Sequence, residues 1–488
     1  MSSLTEQKPA VYYNYVGGEW TESASRERLE SRNPATGELV GYAQKSTETD
    51  MLQSIDSVYE AYRTSDWGVN PKRRYEALLE LARQIENNIE HLARLMTMEQ
   101  GKPIRESRVE LAGCVDTLKY FAGAARTVFG RSVQLEPGNF GVIAKEPIGV
   151  VGIISPWNWP ALLMIRELAP ALAAGNGVIV KPASLTPIIS VELFKLIDQV
   201  PHFPKGIVSI VTGPGQSIGA VMGSSKKIDM ISFTGDTSTG KTIMALAASN
   251  IKKLALELGG KSPNVVFEDA PLDKAIPLIG RSIFISAGQI CMAGSRLLVH
   301  ESVKEEVLFR LKQYTEKLSV GNGLLESTDM GPLVSQSQLD LVNEYCEIGR
   351  REGNIITGGY RLTGGAYDQG YFFAPTIIDD LSSDCRVVRE EIFGPVLAVQ
   401  SFSSDEEALA LANDTDFGLS AGVWTSSLNR AMRMSRGIQA GTVWINTYNK
   451  NFPEAEFGGY KQSGLGRTRG VDGLMEYCET KHIHFEMD

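Results

Sequence analysis

The chain has 488 residues, 43% hydrophobic and 22% charged, the balance of a globular protein with two or three units around more than one core. Its net charge of −10 opposes binding to phosphate backbones and anionic membranes, which excludes nucleic acid as an expected partner. No apolar run reaches the ~18 residues of a membrane span, and residues 1–15 lack the charged, apolar, small-residue order of a leader, so the expected location is the cytoplasm. In chain order, residues 13–21 read as a hairpin around Gly17-Gly18, and residues 33–37 as a turn. Apolar residues recur at helical spacing from 50 to 128, as at Ala77, Leu78, Leu81 and Ile85, with a break at Gly101-Lys102-Pro103. Residues 131–147 switch to a strand pattern folded about Pro137-Gly138-Asn139. Short β-branched runs at 150–154, 178–180, 207–211, 230–233 and 253–256 alternate with helical ones. That alternation predicts βαβ units, a parallel sheet and ligands at the carboxyl ends of its strands. A second such pass runs through 297–299, 355, 376–378, 396–399 and 442–445, starting from a helix region around Cys291, and residues 480–487 read as a terminal strand.

Cys114, Cys291, Cys346, Cys385 and Cys478 are odd in number and show no C-x-x-C spacing, and the histidines do not cluster with them. Neither a disulfide framework nor a metal site is expected. The chemistry concentrates instead in short blocks. Glu257-Leu258-Gly259-Gly260-Lys261-Ser262-Pro263-Asn264 is followed by Gly288-Gln289-Ile290-Cys291, one acid and one thiol. A thiolate attacks carbonyl carbon, and a carboxylate held out of water has a raised pKa and can take a proton from water. Taken alone, Cys291 could be a small buried hydrophobe and Glu257 a solvated strand end. Asn158, in Ile153-Ile154-Ser155-Pro156-Trp157-Asn158-Trp159-Pro160, follows the first parallel strand, where it could donate to an oxyanion or merely cap a helix. Lys181-Pro182-Ala183-Ser184 ends the next strand, within reach of ribose hydroxyls. Gly213, Gly215 and Gly219 depart from the G-x-G-x-x-G spacing, so they are weak evidence for a dinucleotide by themselves. Residues 235–242 satisfy the G-x-x-x-x-G-K-[ST] phosphate-loop pattern, which alone says nucleotide triphosphatase.

The 257–264 and 288–291 blocks closely resemble the active-site signatures of the NAD(P)-dependent aldehyde dehydrogenases. The 153–160 and 391–396 blocks extend that resemblance along nearly the whole chain. It implies an α/β fold of aldehyde dehydrogenase type, with two α/β domains built on Rossmann-like parallel sheets and a small β oligomerisation ribbon. Residues 1–128 and 148–257 would be the cofactor domain, 258–465 the catalytic domain, and 129–147 with 466–488 the ribbon and tail. The tail would pair with the ribbon of a neighbouring subunit in a homo-oligomer, a dimer or a tetramer. Cys291 would attack an aldehyde, and Asn158 with the backbone N–H of Cys291 would hold the oxyanion. Hydride would pass to the nicotinamide, and Glu257 would activate the water that releases the acid. The cofactor would meet Ile154, Ser155, Pro156, Trp157, Lys181, Ser184, Gly215 and Gly219. It would also meet Thr234, Gly235, Gly240, Leu258, Glu391 and Phe393, with Lys181 on the adenosine ribose and Glu391 on the nicotinamide ribose.

The chain departs from the family pattern at four places. Asp236 stands where a Ser is common beside the pyrophosphate, Glu167 where a Lys is common, and Thr468 where a carboxylate is common. Ser184 stands where many NAD-using relatives have Glu, so NADP as well as NAD is an expected cofactor. Substrate would pass Trp159, Arg166, Ile290, Asn451 and Phe457. Relatives that take trimethylammonium aldehydes use an aromatic box here, and Arg166 would repel such a cation. The expected substrate is therefore a neutral aromatic or aliphatic aldehyde. The alternatives are a semialdehyde with a distal carboxylate held by Arg166, or an Arg166 that pairs with Glu167 and never meets substrate. Rivals from other classes are the triphosphatase and a non-catalytic binding protein, against which the Cys, Glu and Asn set argues.

Overall fold

Strands buried along their whole length, such as Val150–Ile154, Gly177–Lys181 and Met230–Thr234, form the centre of the first sheet, as parallel strands covered on both faces must. The computed structural model describes residues 10–487; of the stretch read for a leader, residues 1–9 lie outside them. This sheet runs Glu19–Thr21, Asn14–Val16, Val208–Ile210, Gly177–Lys181, Val150–Ile154, Met230–Thr234, Lys253–Glu257, Gly464–Leu465. Its five central strands are parallel. Chain order reverses between Val150–Ile154 and Met230–Thr234, the switch point at which open α/β sheets bind ligands.

Alternate residues serve opposite faces. Val150 and Ile154 pack with Met51, Ile55 and Val58 of the Glu48–Thr64 helix. Val151 and Ile153 join the larger cluster with Leu78, Leu81 and Ile165 from Pro71–Asn87 and Pro160–Ala174. The helical layer has the expected break: Gly101 ends Ile89–Gln100 at a φ of 98°, and Pro103 precedes Ile104–Ala125. Thr47 and Asp50 close a capping box on the first helix.

The second sheet runs Asn354–Thr357, Thr376–Asp379, Val396–Phe402, Arg296–His300, Pro263–Val266, Ser420–Trp424, Thr442–Ile445, parallel except for Asn354–Thr357. Two of its interior strands, Pro263–Val266 and Ser420–Trp424, are absent from the sequence reading. Gly464–Leu465 returns to the first sheet instead of ending the catalytic half. The stretch before Cys291 is a kinked 3-10 turn after the Leu272–Phe284 helix, with Ser286 and Ala287 left-handed.

Arg131–Glu136, Asn139–Pro147 and Cys478–Glu486 make a three-stranded ribbon. The tail pairs with Asn139–Pro147 of its own chain, from Cys478 opposite Pro147 to Glu486 opposite Asn139. This corrects the expected pairing with a neighbour, and the reason is local. The N–H of Ile148 donates to the carbonyl of Tyr477, which sets the tail beside the ribbon where both leave the body. Among the described residues no helix is long and apolar enough to cross a membrane.

Candidate active site

Adjacent strands Val150–Ile154, Met230–Thr234 and Lys253–Glu257 end together, so their following loops share one edge of the sheet. Asn158 lies on the first loop and is buried; its Nδ2 donates to the carbonyl of Gln289 at 2.9 Å. That bond joins the first loop to the turn carrying Cys291, 131 positions away. The backbone N–H of Cys291 has no acceptor among the described residues. The Asn158 amide and the Cys291 N–H are thus two donors on the loop and turn that meet at the half-buried thiol's segment.

Glu257 ends its strand with 5% of its surface exposed, and its Oε1 is buried without a partner. Burial lifts its pKa to about 8 against the pull of Arg166; Glu167 adds to the rise, and Arg469 and Arg467 also pull it down. Burial likewise lifts the Cys291 thiol to about 12, with Arg166 lowering it and Glu257 and Glu391 raising it. Both groups are therefore mainly protonated at neutral pH.

Two arginines set the charge of this region. Arg166 is buried, donates from Nε to Glu167 at 2.8 Å and from Nη2 to Thr234 at 3.1 Å, and leaves Nη1 unpartnered. Glu167 in turn accepts from Tyr477 at 2.7 Å and from Ser232 at 3.1 Å. Arg469 was missed by the sequence reading. It is buried, its guanidinium has no hydrogen-bond partner among the described residues, and its φ of 61° is unusual for a non-glycine residue. Its guanidinium lies 5.3 Å from the Phe457 ring, and that of Arg166 lies 5.9 Å from the same ring. The only sequence signal was a second Arg two positions after Arg467.

Of the other substrate candidates, Ile290 is buried beside the thiol, and Asn451 is exposed with a weak contact to the Met292 sulfur at 3.6 Å. Trp159 is half-buried, with the Lys102 ammonium 4.2 Å from its ring centre. An aromatic face that already meets a lysine has less to offer a ligand cation.

The proposed cofactor residues fall along the same edge. Lys181 donates to the carbonyl of Pro182 at 2.9 Å, and burial lowers its pKa to about 8. Ser184 donates to Gly213 at 2.9 Å, which brings Lys181, Ser184 and the Gly215–Gly219 turn together. A Cβ on Gly215 would come no closer than 3.9 Å to Lys181, and one on Gly219 would meet nothing. Ser155 Oγ is buried without a partner, beside half-buried Pro156 and Trp157. An unpaired buried hydroxyl and a lysine with donors to spare, next to open glycines, fit the hydroxyls of a ribose. Further along, Trp157 meets Phe393 edge to face at 5.3 Å, and Glu391 accepts from the N–H of Gly260 at 3.0 Å. Burial raises Glu391 to about 7. Gly240 lets its helix approach Leu258, since a Cβ there would come within 2.6 Å of that side chain.

Asp236 is the departure with a clear structural answer. It caps the Thr237–Ala247 helix, accepting from the N–H groups of Ser238 at 2.9 Å and Thr239 at 3.1 Å, and from the Ser238 hydroxyl. These are the groups a phosphate would take at a helix N-terminus, while Lys241 and Thr242 face solvent. The segment is a self-capped helix start rather than a phosphate loop. Among the described residues no cluster of His, Cys, Asp and Glu could hold a metal ion.

The aldehyde dehydrogenase family model matches residues 20–483, and the chain belongs to that family. The triphosphatase alternative falls with this match. A betaine aldehyde dehydrogenase of Bacillus subtilis is 40% identical over 96% of both chains. An aldehyde dehydrogenase of Emericella nidulans is 38% identical over 100% of this chain and 99% of its own. Among solved structures, Staphylococcus aureus betaine aldehyde dehydrogenase in complex with NAD+ superposes with a TM-score of 0.96 at 37% identity, covering 97% of this chain and 95% of that one. An NAD-dependent aldehyde dehydrogenase of Sinorhizobium meliloti also gives 0.96, at 35% identity, over 98% and 95%.

Proposed function

We propose that the chain oxidises an aldehyde without positive charge to its carboxylic acid, using NAD or NADP. The observation that carries this is the convergence of a thiol, a partnerless buried carboxylate and an Asn donor on one sheet edge. The Cys291 thiol loses its proton to solvent water, the Arg166 charge favouring the thiolate, and the sulfur adds to the carbonyl carbon. The developing oxyanion draws Asn158 Nδ2 away from the Gln289 carbonyl and takes the free N–H of Cys291 as its second donor. A bound dinucleotide supplies the acceptor for the hydride that leaves this adduct. Ser155 and Lys181 would hold its ribose hydroxyls. Glu257 then takes a proton from water, the new C–O bond forms, the C–S bond breaks, and the sulfur recovers its proton.

The charge around the thiol supports the substrate class. Arg166 and Arg469 both act on Cys291 and Glu257 through the low-dielectric interior, and an ammonium-bearing substrate would have to approach them. A neutral aromatic or aliphatic aldehyde meets no such cost, with Phe457 and Ile290 as apolar wall. The partnerless Arg469 favours a second reading, a semialdehyde whose distal carboxylate reaches that guanidinium. The test is NAD(P)H formation with benzaldehyde, a hydroxybenzaldehyde, succinate semialdehyde and betaine aldehyde. Betaine aldehyde as the best substrate would refute the charge argument; no turnover with any aldehyde would favour a binding protein.

A further inference from the structure

The loop that carries Asn158 runs into the Pro160–Ala174 helix, whose N-cap residue is Trp159, a side chain that cannot cap. The first free N–H groups of that helix are satisfied from elsewhere. Glu110 Oε1 accepts from Ala161 at 2.8 Å and from Leu162 at 3.0 Å. Its other oxygen accepts from Lys102 Nζ at 2.6 Å, and Lys102 donates again, at 2.6 Å, to the carbonyl of Asn158 itself. Both side chains of this pair are fully buried. Residues 158–162 are thus gripped through their carbonyl by Lys102 and through their N–H groups by Glu110.

One turn earlier on the same helix, Ile104–Ala125, Glu106 grips the other half of the site. It accepts from the N–H of Ser286 at 3.0 Å and from the Ser286 hydroxyl at 2.5 Å. Ser286 opens the left-handed run Ser286, Ala287, Gly288, at φ of 48°, 54° and 72°. Gln289 follows, locked by its amide to the Ser286 carbonyl at 3.0 Å and by the N–H of Val334 at 2.9 Å. Positions i and i+4 of a helix lie one above the other on one face, ~6 Å apart. We propose that the Ile104–Ala125 helix sets the spacing of the oxyanion hole, with Glu110 and Lys102 positioning Asn158 and Glu106 positioning the turn before Cys291. This rests on Asn158 being the oxyanion donor. None of the three residues touches substrate; they act through Asn158 and the Cys291 turn.

A double-mutant cycle tests it, read as the single-turnover rate of NAD(P)H formation per titratable thiol, with KM for aldehyde measured alongside. Asn158→Ala should slow that step about 100- to 1,000-fold, and Glu110→Gln about 10- to 100-fold with little change in KM. In the Asn158→Ala background, Glu110→Gln should cost no more than about twofold, because its effect passes through the missing amide. Glu106→Gln should slow the same step in the wild-type background, and Glu106→Asp should recover part of the loss. Equal losses from Glu110→Gln in both backgrounds would overturn the positioning role. A wild-type rate in Asn158→Ala would instead overturn the oxyanion reading beneath it. Should Glu110→Gln not fold, Lys102→Met, which removes the donor toward the Asn158 carbonyl, carries the same cycle.

Discussion

Arg296 and Arg469 are both buried, and burial lowers both to about 10, yet their surroundings differ in kind. Arg296 gives Nε to Lys261 at 2.9 Å, Nη1 to Leu411 at 2.8 Å and Nη2 to Ala412 at 2.9 Å, all backbone carbonyls. Arg74 is used the same way, on Ala173, Trp67 and Gly68. These are struts: every donor direction that matters is taken by chain that would otherwise have unsatisfied carbonyls. Among the described residues Arg469 makes no such bond, though its nitrogens are not fully buried, and Arg166 keeps Nη1 buried and free. A buried charge without full hydrogen bonding is costly to fold, so its retention next to a thiol points to chemistry rather than architecture.

The sharpest test of where chemistry lives is the thiol itself. Cys291→Ala should abolish NAD(P)H formation altogether, whereas Glu257→Gln should release about one equivalent per site and then stall at the thioester. Steady turnover by Glu257→Gln at the wild-type rate would remove that carboxylate from the cycle. Next in size is the strut. Arg296→Met should destabilise by about 3–5 kcal/mol, because three buried carbonyls lose their donor, and activity per folded site should stay within about twofold. A chemical denaturation midpoint unmoved from wild type would break the contrast from the structural side. Arg469→Met should do the reverse. Its midpoint should hold or rise, while kcat/KM for succinate semialdehyde relative to benzaldehyde falls about tenfold if a distal carboxylate is read there. An unchanged ratio leaves Arg469 as a tuner of Glu257 and removes the semialdehyde reading.

The pH dependence sharpens the same contrast. With Glu257 lifted to about 8, thioester hydrolysis should climb about tenfold per pH unit between 6 and 7 and level off above 8. Its folded pKa exceeds the ordinary 4.5, so between those values the folded chain holds the proton more tightly and stability falls as pH rises. Glu257→Gln should therefore raise the melting temperature relative to wild type at pH 8 and leave it alone below pH 4.5. A smaller shift is expected at the cofactor. Ser184→Glu should weaken NADP relative to NAD about tenfold, read by direct binding, because a carboxylate would face the 2′-phosphate. A wild-type protein that binds no NADP would refute the premise.

Much of this was legible locally. Cys291, Glu257, Asn158 and Lys181 sit in short blocks that resemble the family's signatures, and the βαβ alternation from 149 to 258 gives the sheet at whose edge they lie. The pairing of Arg166 with Glu167 was one of the readings weighed, and the structure has that pair. Two interior strands of the second sheet escaped because Pro263-Asn264 and Ser420-Ala421-Gly422 interrupt the β-branched runs by which the equally buried strands of the first sheet were read. Lys102 registered only as part of a break, and Glu106 and Glu110 were not singled out, because their partners across the site lie 51 to 180 positions away. Charge at helical spacing normally means solvent, and nothing nearby in the chain announces that this face is dry.

The return of Gly464–Leu465 to the first sheet has a consequence for the order in which the protein is made. Glu257 faces Gly464 and Leu256 faces Leu465, while the N–H of Leu258 donates to the carbonyl of Ser463 at 2.9 Å. A growing chain therefore carries Asn158, Glu257 and Cys291 out of the ribosome long before the strand that closes the edge beside Glu257 exists. Until then that edge is open, the state in which unpaired strands invite wrong partners. Arg469 and the Tyr477 hydroxyl that bonds Glu167 arrive in the same late segment. The thiol is thus synthesised together with Arg166 and Glu257 but ahead of Arg469 and Tyr477, so its electrostatic surroundings are completed only by the last stretch of chain.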